Sequence, residues 1–145
     1  TKCKSGFYKI MMFVAPKTSN GKSVNYGDFH FYKQHNEVRY KVKVGDTMTS
    51  IAKFFDVPVS RIRRSFIGTL KPKTFIRFKV NIFSHKLGWA TGPLLTDSCG
   101  KTIKNPLKSC RTYSYDYSKY CNSFCVRDKN IRVGITNPKV RKNIF

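Results

Sequence analysis

The stretch VRYKVKVGDTMTSIAKFF, residues 38–55, constrains the fold more than any other part of the chain, because its hydrophobic period changes abruptly. Val38, Tyr40, Val42 and Val44 alternate with Arg39, Lys41 and Lys43, which predicts a strand with one buried and one basic face. Met48, Ile51, Ala52 and Phe55 then recur at spacings of three and four, the apolar stripe of an amphipathic helix. Only a tight turn fits between the two patterns. Gly45 permits it, and Asp46 or Thr47 can cap the helix by accepting a bond from its first free N–H groups. Pro58 breaks the pattern in DVPVS, Ser60 is placed to cap a second short helix, RIRRSF, and FIRFKV at residues 75–80 reads as a closing strand. The order strand, helix, helix, strand predicts a two-stranded antiparallel sheet with both helices on one face. Its core would fall to Ile51, Ala52, Phe55, Val59, Ile62 and Phe78, each contributing roughly 1.5–3 kcal/mol when fully buried.

Around this unit, FYKIMMFVA at residues 7–15 reads as a central strand ending at Pro16. PKTSNGKSVNYG is a loop, and DFHFYKQ at residues 28–34 is a second strand. The longest apolar run, residues 10–15, is far short of the ~20 residues of a membrane span. No leader or lipidation motif is visible, and a start at Thr1 implies N-terminal processing. Lys and Arg number 29 against 7 acidic residues, a formal charge of +22. Such a field attracts polyanions or acidic protein surfaces without selecting among them.

The central unit resembles a LysM (lysin motif) module over residues 39–80. The resemblance rests on Gly45-Asp46-Thr47, Ser50-Ile51-Ala52, Val57-x-Val59, Ile62 and Pro72. Two positions depart from the family pattern: Ser65-Phe66 replaces the usual asparagine after the second helix, and Lys73-Thr74 replaces a common Gly-Gln. The resemblance implies a non-catalytic protein that binds N-acetylglucosamine polymers, chitin or peptidoglycan. The implied groove is Gly45, Asp46, Thr47, Met48 and Thr49 facing Ile67, Gly68, Thr69, Leu70 and Lys71. Backbone amides and hydroxyls there would meet acetamido groups, and Met48, Ile67 and Leu70 the apolar sugar faces. The opposing reading is that Asp46 and Thr47 only cap a helix.

The flanks resemble an uncharacterised segment of some bacterial and large-virus proteins, in which a His-aromatic-Tyr strand leads directly to a Trp-Ser-His-Lys strand. That resemblance implies an α+β chain in which the small βααβ LysM-like module, residues 37–80, is inserted in and projects from a basic β-rich host domain, residues 1–36 plus 81–145. It also keeps a second function class open: a structural component of a large assembly such as a virion, a minor capsid protein joining acidic subunits. Nonspecific nucleic-acid binding is the third. For nucleic acid, the tyrosines of RTYSYDYSKYCNSF at residues 111–124 could stack bases, but Tyr113, Tyr115 and Tyr117 alternate as on a strand face. The compartment expected is extracellular or virion, and no cofactor is implied.

Catalytic signals are thin. His30, His85 and the C-terminal cysteines could meet in space, and Cys–His–Asp is a known hydrolase arrangement, but no nucleophile motif is present and Asp28 and Asp97 read as readily as turn or cap residues. Cys3, Cys99, Cys110, Cys121 and Cys125 are odd in number, so at least one thiol is free or paired between chains. Disulfides, buried thiols and a zinc site that would join Cys121-x-x-x-Cys125 to Cys99, Cys110, His30 or His35 are the alternatives, although the C-x-x-C spacing of structural zinc sites is absent.

Overall fold

The computed structural model describes residues 2–16, 18–19, 22–23, 27–88 and 91–129; Trp89 and the basic C-terminal NPKVRKNIF lie outside them. Strand β1 (Phe7–Ala15) is followed by two short strands, β2 (Thr18–Ser19) and β3 (Lys22–Ser23), which pair with each other. Strand β4 (Asp28–Lys41) leads to helices α1 (Met48–Phe55) and α2 (Val59–Arg63). Strand β5 (Phe75–Ser84) and, after a long irregular segment, β6 (Lys119–Arg127) complete the strands among the described residues. The main sheet has the order β5-β4-β1-β6, with every neighbour antiparallel.

Where alternation predicted one strand at 28–34 and another at 38–44, β4 is a single strand of 14 residues. Likewise β5 continues past residue 80 to Ser84, so both strands run unbroken across residues 36/37 and 80/81. The register shows how one hairpin serves two cores. His35 pairs with Ile82 but Glu37 pairs with Lys79, so Asn36 faces both Val80 and Asn81 in a β-bulge. The extra residue shifts the parity of β5 relative to β4: Phe78 and Ile76 lie opposite Val38 and Tyr40, but Phe83 lies opposite Gln34. Ile76, Phe78, Val80 and Ile82 pack in the first core, whereas Phe83 belongs to the second.

The first core comprises Val42, Ile51, Ala52, Phe55, Ile62, Ile76, Phe78, Val80 and Ile82. Two expectations fail here. Val44 is 84% exposed, because the chain has already turned: the Asp46 carboxylate accepts from the Lys43 N–H at 2.7 Å and from the Tyr40 hydroxyl at 2.8 Å. Val59 is 40% exposed, because α2 begins at Val59 and not after Ser60. Pro58 occupies its N-cap without a side-chain bond, so Ser60 lies inside the first turn. The helix is over by Arg64, and Phe66 folds back against the first core.

The second core joins Met11, Phe13, Ala15, Tyr32, Phe83, Ile103 and Tyr117, with Tyr113 and Tyr115 packed on it. Its irregular segment is held by Asp97, whose carboxylate accepts the backbone N–H groups of Cys99, Lys101 and Cys110, each at 3.0 Å. Arg111 donates to the carbonyls of Pro106, Ser109 and Tyr117 and lies over the Phe13 ring. The same segment leans on the helices: Leu95 packs on the first core, Thr102 Oγ1 donates to the Phe54 carbonyl, and Lys104 pairs with Asp56. These three contacts brace α1 and the first core against the irregular segment. Two disulfides, Cys3–Cys125 and Cys99–Cys110, resolve the cysteine question, and Cys121 is an exposed free thiol on β6.

Candidate functional site

The turn before α1 is built by local chemistry. Gly45 sits at φ +85°, a conformation that disfavours a side chain. Thr47, not Asp46, is the N-cap: its side chain accepts from the Ser50 N–H at 3.0 Å, while Ser50 Oγ accepts from the Thr47 N–H at 2.9 Å. This reciprocal pair satisfies two of the helix's free donors. Asp46 is occupied by Lys43 and Tyr40, and burial, with the Asp46 carboxylate second, pushes the Tyr40 hydroxyl up to about 12. Both side chains thus have structural duties. Their peptide groups, with Thr49 exposed beside them, form the lip of the first loop.

The second loop follows α2. Gly68 has φ +76°, Thr69 and Lys71 are exposed, and Ile67 stands fully in solvent at 101%. Arg63 donates to the Gly68 carbonyl at 3.3 Å, which ties the loop to the helix. Leu70 packs on the first core, as does Met48 from the other loop. The loops are also linked through the strand ends, where Val42 and Thr74 share a 2.9 Å bond and Lys73 donates to Val42 at 2.8 Å. Positive φ at Lys73 (67°) marks the turn where the family pattern carries glycine.

In a second constellation His30 and His85 meet, as the sequence allowed, but the cysteines that could have joined them do not: Cys99, Cys110 and Cys125 are held in disulfides. His30 and His85 are buried with Nε2 of His30 2.9 Å from Nδ1 of His85. Nε2 of His85 lies 2.8 Å from the Thr96 carbonyl, which only accepts, so this nitrogen carries the proton. His85 Nδ1 must then accept from His30 Nε2–H, leaving Nδ1 of neutral His30 unprotonated. Tyr113 stacks on His85 with centroids 4.9 Å apart, and its hydroxyl is 3.3 Å from that of Tyr32. Tyr117 donates to Asp28 at 2.7 Å. Burial, helped by repulsion whenever His85 is protonated, depresses His30 to about 4, and burial also lowers His85. Burial pushes Tyr32, Tyr113 and Tyr117 upward. Alternation put His30 and Tyr32 on the same face of a strand, and His85 was a candidate neighbour; Thr96, Tyr113 and Tyr117 had no sequence signal and arrive only on folding.

The strand expected at Tyr113, Tyr115 and Tyr117 is absent. These residues form a turn closed by the Thr112–Asp116 bridge, and all three rings pack toward the second core. The zinc set is not assembled either, since Cys125, Cys99 and Cys110 are all committed to disulfides. Asp97 approaches Cys99 and Cys110, but sulfurs bonded to each other offer no thiolate.

With this geometry in hand, comparison with known proteins gives one positive result. Residues 40–65 match the family model of the LysM domain, so the resemblance carried by Gly45-Asp46-Thr47 and Ser50-Ile51-Ala52 holds for that stretch. The match ends before the Ile67–Lys71 side of the groove and before β5. No curated protein and no solved structure matches the chain. LysM is in general a GlcNAc-polymer-binding, non-catalytic module. No helix among the described residues is long and apolar enough to cross a membrane.

Proposed function

We propose that this protein binds chitin or peptidoglycan without catalysing a reaction. In this reading residues 37–80 are the binding module, and residues 1–36 plus 81–145 its host. The observation that carries it is the LysM match at residues 40–65, in which Gly45, Asp46, Thr47, Met48 and Thr49 form the first loop. Ile67, Gly68, Thr69, Leu70 and Lys71 supply the opposite wall. Ile67 is positioned to lose its solvent-exposed surface against a sugar face, and the peptide groups around the two glycines to meet the acetamido groups. The two disulfides favour an oxidising location, outside a cell or within a particle assembled there.

The test is retention on insoluble chitin and on peptidoglycan across a salt series. Retention at high salt that soluble GlcNAc oligomers compete away supports the proposal. Release of all protein by a few hundred millimolar salt sinks it and leaves charge alone. Thr47→Ala combined with Leu70→Asp should abolish the competed fraction.

A second reading, a structural protein that contacts acidic subunits of a large assembly such as a virion, is favoured by the outer face of the β4–β5 hairpin. There Arg39 pairs in register with Arg77, flanked by exposed Lys41 and Lys79, and only Glu37 opposes them. Like charges across a ladder are unfavourable, so an acidic partner would relieve them. Polyanion binding, nucleic acid included, would use the same strip. Reversing Arg39 and Arg77 to glutamate should abolish salt-sensitive binding and leave glycan retention intact.

A further inference from the structure

The host half contains a cleft of about 700 Å³, within the range of small-ligand sites. Its walls are Phe29, Phe31, Tyr113, Tyr115 and Tyr117, and its polar groups come from Asp28, His30, Ser114 and Lys86. Phe29 and Phe31 are largely exposed although apolar, at 58% and 44%. Charge decides the kind of ligand. In a protein with 29 basic and 7 acidic residues, the cleft is lined by one lysine and one aspartate. A polyanion would find better purchase almost anywhere else on the surface, so the cleft suits a neutral ligand.

The polar lining is also pre-oriented. The Thr96 carbonyl fixes the tautomer of His85, His85 fixes that of His30, and His30 is left with an acceptor nitrogen and no formal charge. Ser114 adds a hydroxyl, and the Asp28–Tyr117 pair offers further acceptors. Aromatic walls with a few fixed acceptors and donors, and with one acidic and one basic side chain in balance, match a ring that has an apolar face and a hydroxylated rim.

We propose that this cleft binds a neutral pyranose, a hexose or N-acetylhexosamine unit, with aromatic rings against the sugar face and His30 accepting from a hydroxyl or amide. The choice of N-acetylhexosamine rests on the glycan reading of the central module; the cleft's chemistry does not. It gives the host half a saccharide contact of its own, separate from the two loops beside α1 and α2.

The experiment is NMR titration of the full chain with the soluble GlcNAc trimer, following His30 and His85 imidazole and Tyr115 ring signals. Backbone amides of residues 45–49 and 67–71 are followed at the same time. The expected result is saturable shifts of the cleft signals that persist in Thr47→Ala/Leu70→Asp. Ser114→Trp, which fills the cleft from an exposed turn, should weaken those shifts at least tenfold without moving the loop amides. Phe29→Ala, at an exposed position, serves as the second variant and should weaken them several-fold. Shifts of the loop amides with a silent cleft would overturn this proposal and leave the module reading standing. A responding cleft with silent loops would do the reverse. If neither GlcNAc trimer nor maltotriose shifts the cleft, or if only a thymidine oligonucleotide does, the saccharide assignment is wrong.

Discussion

The two cores of this protein are built on different principles although they share β4 and β5. The one under α1 and α2 is apolar throughout and contains no histidine or cysteine, and its helical residues come from within twelve positions of one another. The other mixes Phe13, Tyr32, Tyr117 and a buried histidine pair, and draws on residues from Met11 to Tyr117. Polar groups inside it are satisfied by one another, Tyr32 with Tyr113, His30 with His85 and Asp28 with Tyr117. Burial is the main force in the first, with the Thr102–Phe54 and Lys104–Asp56 contacts beside it. The second depends on hydrogen bonds and cross-links whose partners are distant in sequence. Unsatisfied polar groups in such a core would each cost about 1–3 kcal/mol.

That contrast can be broken from either side. The largest effect should come from Ile51→Asp, which places a charge where the side chain is 2% exposed. A loss of about 4–5 kcal/mol is expected, with α1 and α2 losing amide-exchange protection. If protection around Phe13 and Tyr32 vanishes at equal denaturant, the two cores are one cooperative unit. Next is removal of Cys3–Cys125, which closes a loop with a sequence separation of 122. The Cys3→Ser/Cys125→Ser pair should cost roughly 2–5 kcal/mol, the usual range for a native disulfide, with the chain-entropy account at its upper end. It should act mainly on β1 and β6, the strands that the bond holds near Phe7 and Arg127. An unchanged melting temperature would show that the sheet needs no staple.

Acid should separate the cores further. An unfolded chain takes up a proton on each histidine below its usual value near 6.5, whereas native His30 resists until about pH 4. Native stability is therefore complete above pH 6.5 and falls as pH drops toward 4, by on the order of 2 kcal/mol from His30 after allowing for solvent screening. His85 and His35, both lowered, add in the same direction. Residues 37–80 contain no histidine, so exchange from α1 should be far less sensitive over that range. A His30 titration midpoint near 6.5 by NMR would refute the buried neutral pair. The smallest effect is Thr47→Ala, which removes the reciprocal cap of α1 and should cost about 1 kcal/mol by urea denaturation. Ser50→Ala tests the other half of that cap and should cost less.

What the sequence determined by itself is local. The change of period around Gly45, a cap at Asp46 or Thr47 (Thr47 in the structure) and the stripe Ile51, Ala52, Phe55 are all set by residues within one or two turns of each other. They sufficed to predict the helices, most of the first core and the family resemblance. Val44 and Val59 were misjudged for a related reason: alternation alone does not reveal that Asp46 folds the turn early or that Pro58 starts α2 early. What only the tertiary structure decided is long-range. The bulge opposite Asn36 merges two expected strands into one and lets β5 serve both cores. Five cysteines admit many pairings, and the sheet chose Cys3 with Cys125 by setting Phe7 beside Arg127 and Lys9 beside Cys125. The His30–His85–Tyr113 cluster and its cleft exist because β4 and the segments around residues 85 and 113 meet in space. Hydrophobic period encodes which face of an element is buried; it carries no information about which distant polar group will be waiting there.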